Sequence, residues 1–176
     1  MKYYLLNWEE KGNPVPRIRN WMERLDYQAV QRRELAKLPE RTILFLEENS
    51  DTLFSDVIEK PFFLVSKMFW DVSKMYEVPT RGKEMVLLDG MNGFAEIYYY
   101  MPVYPRYRCL SEETVFNNDY SVIQELILDK EKIKYVPPVF EVAEVEKDYL
   151  ICRLDFIESI LRRGAKGIKL AELKVE

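Results

Sequence analysis

The sequence holds no histidine, so the residue types left for chemistry are carboxylates, lysines, tyrosines, serines and two cysteines. Losing histidine removes the usual general base at neutral pH. It also rules out Ser-His-Asp and Cys-His arrangements and any zinc site with His ligands, and two cysteines cannot close a four-cysteine site. A carboxylate pair, or a Lys or Tyr base, stays chemically open. The tetrapeptide VSKM occurs twice, at Val65–Met68 and Val72–Met75. Seven positions are two helical turns, so both copies face the same way on a helix. The Ser66-Lys67 and Ser73-Lys74 pairs suggest a catalytic dyad, but adjacent helical positions do not face each other. The competing reading is an apolar stripe of Val65, Met68, Val72 and Met75 with solvated Lys67 and Lys74.

Cys109 and Cys152 match no metal or redox spacing. Cys152 sits in the apolar run Tyr149-Leu150-Ile151-Cys152 and reads as a buried thiol. Cys109 follows Arg106 and Arg108, which could lower its pKa, but an activating histidine is missing. Asp89-Gly90-Met91-Asn92-Gly93 carries two glycines, yet no helix follows to cradle a phosphate, and the acidic spacing of a calcium loop is absent. Asp-Gly and Asn-Gly are hairpin signals instead. Gly164-Ala165-Lys166-Gly167 resembles a nucleic-acid-binding GXXG loop on paper. A strand is expected after it rather than a helix, so that reading is set aside.

Charge is uneven. Glu47, Glu48, Asp51, Asp56 and Glu59 fall within thirteen positions with no cation among them, a local charge of −5. Residues 141–148 sum to −3, and residues 162–174 carry five cations against one acid, a local +4. Arg162, Arg163, Lys166 and Lys169 could form a nucleic-acid patch, but cations in a helix's last turn also complement its dipole. The chain as a whole is acidic, with 26 Lys plus Arg against 30 Asp plus Glu, which argues against nucleic acid.

The elements that must position these groups are mainly strands. Tyr3–Trp8, Thr42–Leu46, Phe62–Val65, Glu84–Leu88, Phe94–Met101, Ser121–Leu128, Val139–Val145, Tyr149–Leu154 and Ile168–Val175 read as strands. A helix interrupted near Asp26-Tyr27 is expected within Arg17–Lys37. Ser66 should cap a helix to Tyr76, and Ser111-Glu112-Glu113 looks like a helix start. Asp155 with Glu158 suggests a capping box for a helix to Arg163 that Gly164 ends. The plan strand–helix–strand at Phe62–Leu88 recurs at Tyr149–Leu173, about half a chain away. A duplicated strand–helix–strand unit would explain it, and so would chance, since few identities accompany it. The core should include Leu44, Phe63, Val65, Val72, Leu87, Ile151, Ile157 and Ile160.

At 176 residues, with 48% apolar and 14% aromatic content, the sequence is that of a globular protein and not of a disordered one. A chain this long buries enough surface to need no metal or disulfide staple. The expected fold is a single α+β domain over residues 1–176, with mostly antiparallel sheet and a few packed helices. MKYYLLNWEEKG lacks the apolar core and cleavage site of a signal peptide. No run approaches the ~18 apolar residues of a membrane span. The expectation is a soluble, cytoplasmic protein with no membrane partner.

Several segments together resemble a known family: KYYLLNW, LPERTILFLEENSDTLFSDVIEKPFFLVSKMFWDVSKMYE, VLLD with IYYYMPV, RCLSEETVF with ILDKEKI, and YLICRLDFIESILRRGAKGIKLAEL. The chain is similar, over nearly its whole length, to bacterial immunity proteins encoded beside polymorphic toxins, a group formerly catalogued as a domain of unknown function. The shared stretches look like fold signatures and none is catalytic. The resemblance implies a protein that binds one cognate toxin in the cytoplasm of the producing cell and masks it, with no catalysis and no cofactor. It assigns no binding residues.

The residues themselves suggest where a partner would bind. An acidic inhibitor suits a basic toxin such as a nuclease, which nominates Glu47, Glu48, Asp51, Asp56 and Glu59. Aromatic side chains anchor interfaces, which adds Tyr98, Tyr100 and Tyr104, although in a strand Tyr98 and Tyr100 share one face and Tyr99 takes the other. The alternative is a small-molecule or peptide-binding module without catalysis, which would need an aromatic-lined pocket.

Overall fold

A computed structural model describes residues 1–8, 16–47 and 52–176. The described strands are β1 (Tyr3–Trp8), β2 (Ile18–Arg19), β3 (Arg41–Leu46), β4 (Val57–Ile58), β5 (Leu64–Ser66), β6 (Arg81–Asp89), β7 (Ala95–Val103), β8 (Arg106–Tyr107), β9 (Val115–Phe116), β10 (Ile123–Glu125), β11 (Ile127–Leu128), β12 (Val139–Val142), β13 (Leu150–Arg153), β14 (Ile168–Glu172) and β15 (Lys174–Val175). The α-helices are α1 (Tyr27–Gln31), α2 (Lys67–Met75) and α3 (Leu154–Arg162). The fold is therefore mixed, strand-rich and mostly antiparallel. Parallel pairing joins β3 to β6, β8 to β12 and β11 to β15.

Two larger sheets carry the architecture. One has the order β2-β3-β6-β7-β5-β4 and the other β14-β1-β13-β12-β8. In the first, α2 links β5 to β6 while β7 lies between them. In the second, α3 links β13 to β14 while β1 lies between them. The two helices meet: the Phe69 and Phe156 rings pack edge to face with centroids 5.2 Å apart, and Tyr76 Oη donates to the Asp155 carbonyl at 2.9 Å. Around them Val57, Val65 and Val72 from the first half share a core with Leu6, Leu150, Cys152, Ile157 and Ile160 from the second. A further core lies on the far face of each sheet.

Local chemistry explains the helix ends. Ser66 Oγ accepts from the Phe69 N–H at 3.2 Å, as its N-cap position predicts. Asp26 Oδ1 accepts from the Ala29 N–H at 2.7 Å, so the interruption expected near Asp26-Tyr27 is the start of α1. The helix expected over Arg17–Lys37 is otherwise replaced by β2 and two 3₁₀ turns, at Trp21–Glu23 and Leu35–Lys37. Asp155 does not cap α3. The cap position is Arg153, whose guanidinium grips both Asp155 carboxylate oxygens at 2.8 Å and holds that carboxyl below its usual range. Ser111–Glu113 forms a turn and not a helix, with the Glu113 N–H donating to Ser111 Oγ. Seven of the eight expected core residues are buried, and Phe63 is half-buried. Met75 lies in solvent, so the VSKM stripe does not form one continuous buried face. Among the described residues no helix is long and apolar enough to cross a membrane.

The loop after α3 closes onto the first half through Asp56. The Asp56 N–H donates to the Lys166 carbonyl at 2.9 Å, and Asp56 Oδ2 accepts from the Lys166 N–H at 2.7 Å. The other carboxylate oxygen accepts from Ser66 Oγ. Gly164 (φ 80°) and Gly167 (φ 66°) both take left-handed backbone here. A Cβ on Gly167 would lie 2.2 Å from Ser55 Cβ, whereas one on Gly164 meets nothing within 4 Å. We predict that Gly167→Ala destabilises the protein by about 1–3 kcal/mol beyond the backbone strain alone. Gly164→Ala should show only the strain. Urea midpoints of the two variants check the difference; equal losses would mean the Ser55 contact yields freely.

Candidate functional site

β3 alternates strictly. Thr42, Leu44 and Leu46 point into the core, and Arg41, Ile43 and Phe45 point out. Register extends that outer face across three strands. Arg41, Glu84 and Tyr100 lie in one row, Ile43, Val86 and Tyr98 in the next, and Phe45, Leu88 and Glu96 in the third. α2 roofs only one corner of this grid. Trp70 stacks on Tyr100 at 4.9 Å with the rings 5° from parallel, and Gly82 makes room, since a Cβ there would lie 2.8 Å from the indole. Away from α2 the face is open: Ile43 is 45% exposed, and Phe45 and Tyr98 are 36% exposed.

Polar groups edge this apolar centre. Arg41 pairs with Glu84, Tyr100 Oη donates to Glu84 at 3.2 Å, and Tyr98 Oη donates to Glu96 at 2.6 Å. The Arg24 guanidinium lies 5.1 Å from the Phe45 ring centroid. Where β6 and β7 meet their turn, Phe45, Leu88, Phe94, Arg19 and Arg24 line a pit of about 230 Å³. Apolar side chains with charges at their margin are an arrangement that interaction surfaces share.

A second concavity, of about 380 Å³, lies between the halves. Its walls include Phe62, Phe63, Tyr149, Glu59, Lys147 and Asp148. At its floor Arg33, in left-handed backbone (φ 54°), reaches Glu141 with one Nη at 2.8 and 2.6 Å and Asp148 with the other at 2.6 Å. Glu141 is buried. Burial pushes its carboxyl above the usual range, and the Arg33 charge opposes that shift without cancelling it. This pair ties the α1 segment to β12.

The residues nominated from sequence scatter. Glu47 is exposed and 3.9 Å from Arg17. Glu48 and Asp51 lie outside the described residues. Asp56 is spent on the Lys166 and Ser66 bonds described above and is not free for a partner. Glu59 accepts from the Trp8 N–H at 3.0 Å and lines the cleft between the halves. Tyr98 lies on the open face, and Tyr100 is under Trp70. Tyr104 is withdrawn as a contact residue: it is 1% exposed and its hydroxyl lies 3.1 Å from Ser73 Oγ in the core. Ile43 and Phe45 were missed because TILFL reads as a wholly apolar strand. The flanking Arg41, on the outward side of the alternation, carries the hint that this face opens to water.

Both cysteines are buried. Burial pushes the Cys109 thiol up to about 12 and raises Cys152 further, so neither sits as a thiolate at neutral pH. Arg163 folds back to the Ser159 carbonyl at 2.9 Å and Arg162 reaches Glu158 at 3.4 Å, which accounts for two of the cations in the basic stretch. Among the described residues no three His, Cys, Asp or Glu side chains gather in a way that could hold a metal ion.

The Arg33–Glu141 pair generates a pH-dependent prediction. Glu141 has a raised folded-state pKa, so its contribution to stability is present below the unfolded value and is lost as pH rises through the folded one. Arg33→Met removes the opposing cation and raises that pKa further. The variant should lose little at about pH 4, where Glu141 is protonated, and roughly 3–5 kcal/mol near pH 7.5. Arg33→Met/Glu141→Gln should recover most of the loss at the higher pH. Urea unfolding at both pH values checks this; a pH-independent loss would refute it.

No family model matches the chain, and no curated protein matches it.

Proposed function

We propose that this chain is an immunity protein of the polymorphic-toxin type, which binds a cognate toxin in the cytoplasm of the producing cell and blocks it by masking, without catalysis. The observation that carries the proposal is the open face of the six-stranded sheet, with Ile43, Phe45 and Tyr98 exposed on it and Arg24, Arg41, Glu84 and Glu96 around them. The sequence resemblance supports the same reading. A masking protein needs a stable scaffold and an adhesive surface, and it needs no nucleophile. The net charge of −4 suits a basic target, since complementary fields speed encounter and select partners. The matching β5–α2–β6 and β13–α3–β14 plans support an origin by duplication of one strand–helix–strand unit, with the two copies joined helix to helix.

A second reading, a small-molecule or peptide-binding module, is favoured by one feature, the cleft walled by Phe62, Phe63 and Tyr149. Its floor argues against it, because Arg33 is already held by two carboxylates and offers an anionic ligand little.

The test starts from the gene immediately upstream: it should encode a large secreted protein, whose C-terminal domain is co-expressed with this chain. The expected result is rescue of growth and a complex that survives gel filtration. Reversing Glu47, Glu48 and Asp51 to Lys together should slow association and flatten its salt dependence while leaving the fold intact. A toxic upstream domain that kills regardless and forms no complex would end the immunity reading. An unchanged on-rate in the triple variant would remove the acidic segment from the interface.

A further inference from the structure

The geometry points to one occupant for the open sheet face: a single amphipathic helix of the partner protein, laid beside α2, with acidic residues along one flank and basic residues along the other. This assignment rests on the reading of the chain as a protein binder and specifies what it binds.

The argument starts from the helical layer. α2 lies over β5 and the near end of β7, where Trp70 meets Tyr100. Among the described residues no element takes the same layer over β3, as the exposure of Ile43 and Phe45 shows, while Val86 of β6 lies buried between its neighbours in the row. From β7 to β3 is two strand spacings, about 10 Å. That is the width of one helix, and helices pack side by side at about 8–10 Å. A flat sheet laid on the same face would collide with α2, which stands above it. A helix would run alongside, with the Trp70 edge as one wall.

The chemistry of the slot fits a helix of defined pattern. Its floor is apolar, with Ile43 and Val86 in one row and Phe45 and Leu88 in the next. The pit of about 230 Å³ at the far end, walled by Phe45, Leu88 and Phe94, is large enough for one bulky apolar side chain. Charge differs across the slot. The β3 side presents Arg24 and Arg41, whose side chain is 64% exposed despite its bond to Glu84. The β7 side presents Glu96. A helix with carboxylates over β3 and cations over β7 is complementary to both margins. Uniformly basic or uniformly acidic helices oppose one of them.

The experiment uses three synthetic helical peptides of about 18 residues with one apolar stripe ending in Trp. One carries Glu on one flank and Lys on the other, one carries Glu on both, and one carries Lys on both. Each is titrated into the isotopically labelled full chain and followed by amide shifts. The expected result is saturable binding of the mixed peptide with shifts confined to residues 41–46, 86–88 and 94–98, and at least about tenfold weaker binding of the other two. Ile43→Asp or Tyr98→Lys should abolish the shifts, while Tyr120→Asp, at an exposed aromatic elsewhere, should not. Circular dichroism confirms folding of each, and Tyr98→Lys decides if Ile43→Asp fails to fold. Equal affinity for all three peptides, shifts mapping elsewhere, or no saturation at millimolar peptide overturns the assignment. The upstream toxin domain separates the two levels. A complex that ignores Ile43→Asp and Tyr98→Lys overturns the helix slot and leaves the immunity reading standing. Failure to form any toxin complex removes the immunity reading while the peptides still judge the slot.

Discussion

The two sheets are held together by two short helices that spend their apolar faces on one another. Phe69 and Phe156 meet at 5.2 Å, and the side chains around them come from both halves of the chain. An edge-to-face aromatic pair adds about 0.5–1.5 kcal/mol beyond its buried area. The larger effect is geometric. With only nine residues each, α2 and α3 are consumed by the seam. A six-stranded sheet is wider than one such helix can cover, so Ile43 and Phe45 of β3 and Tyr98 of β7 are left exposed on that side. The exposed apolar face is thus a consequence of where the helices are needed, and it costs the fold no further element.

Polar contacts fix the halves in register where the helices cannot reach. Asp56 holds the Lys166 backbone in both directions, which brings the α3–β14 loop against β4 and β5. The tight fit of Gly167 on Ser55 permits no side chain there. Across the cleft, Arg33 and Glu141 make the opposite kind of link. A buried ion pair is weak evidence for stability, because desolvation offsets much of its attraction. What it supplies is a directional contact between the α1 segment and β12, and the left-handed backbone at Arg33 shows that the chain accepts local strain to make it.

Much of this was legible in the sequence where one local rule decides. The Asp89–Gly93 turn, the Ser66 cap and the Gly164 stop depend on residues within a few positions, and each forms. Arg17–Lys37 misled because its apolar spacing is near-helical while its residues serve as a lid on the core beneath β3: Ala29 and Val30 are buried there on α1, and Leu25 and Leu38 just past the two 3₁₀ turns. The Asp155 cap failed for a local reason: α3 starts at Leu154, and Arg153, at the cap position, holds the Asp155 carboxylate from two residues away. The site was less legible. Acid density singled out Asp56, whose carboxylate is structural, and tyrosine density singled out Tyr104, which is core. Neither density reports which side of a sheet a helix will cover, and that decides what a partner can touch.

The same constraint bears on how such a protein could change partners. Substituting Leu44, Leu87 or Tyr99 disturbs a core, because each fills space beneath the six-stranded sheet. Ile43 and Phe45 alternate with Leu44 along β3, and Tyr98 alternates with Tyr99 along β7, and these three carry no comparable packing. A period of two therefore separates what holds the fold from what faces outward. Substitutions at the outward positions change shape and charge at little cost in stability. Glu47 follows β3 directly, so an exposed charge and the apolar strand face meet at one end of one strand. Under the proposed binding role, the charge and the strand face could be changed separately.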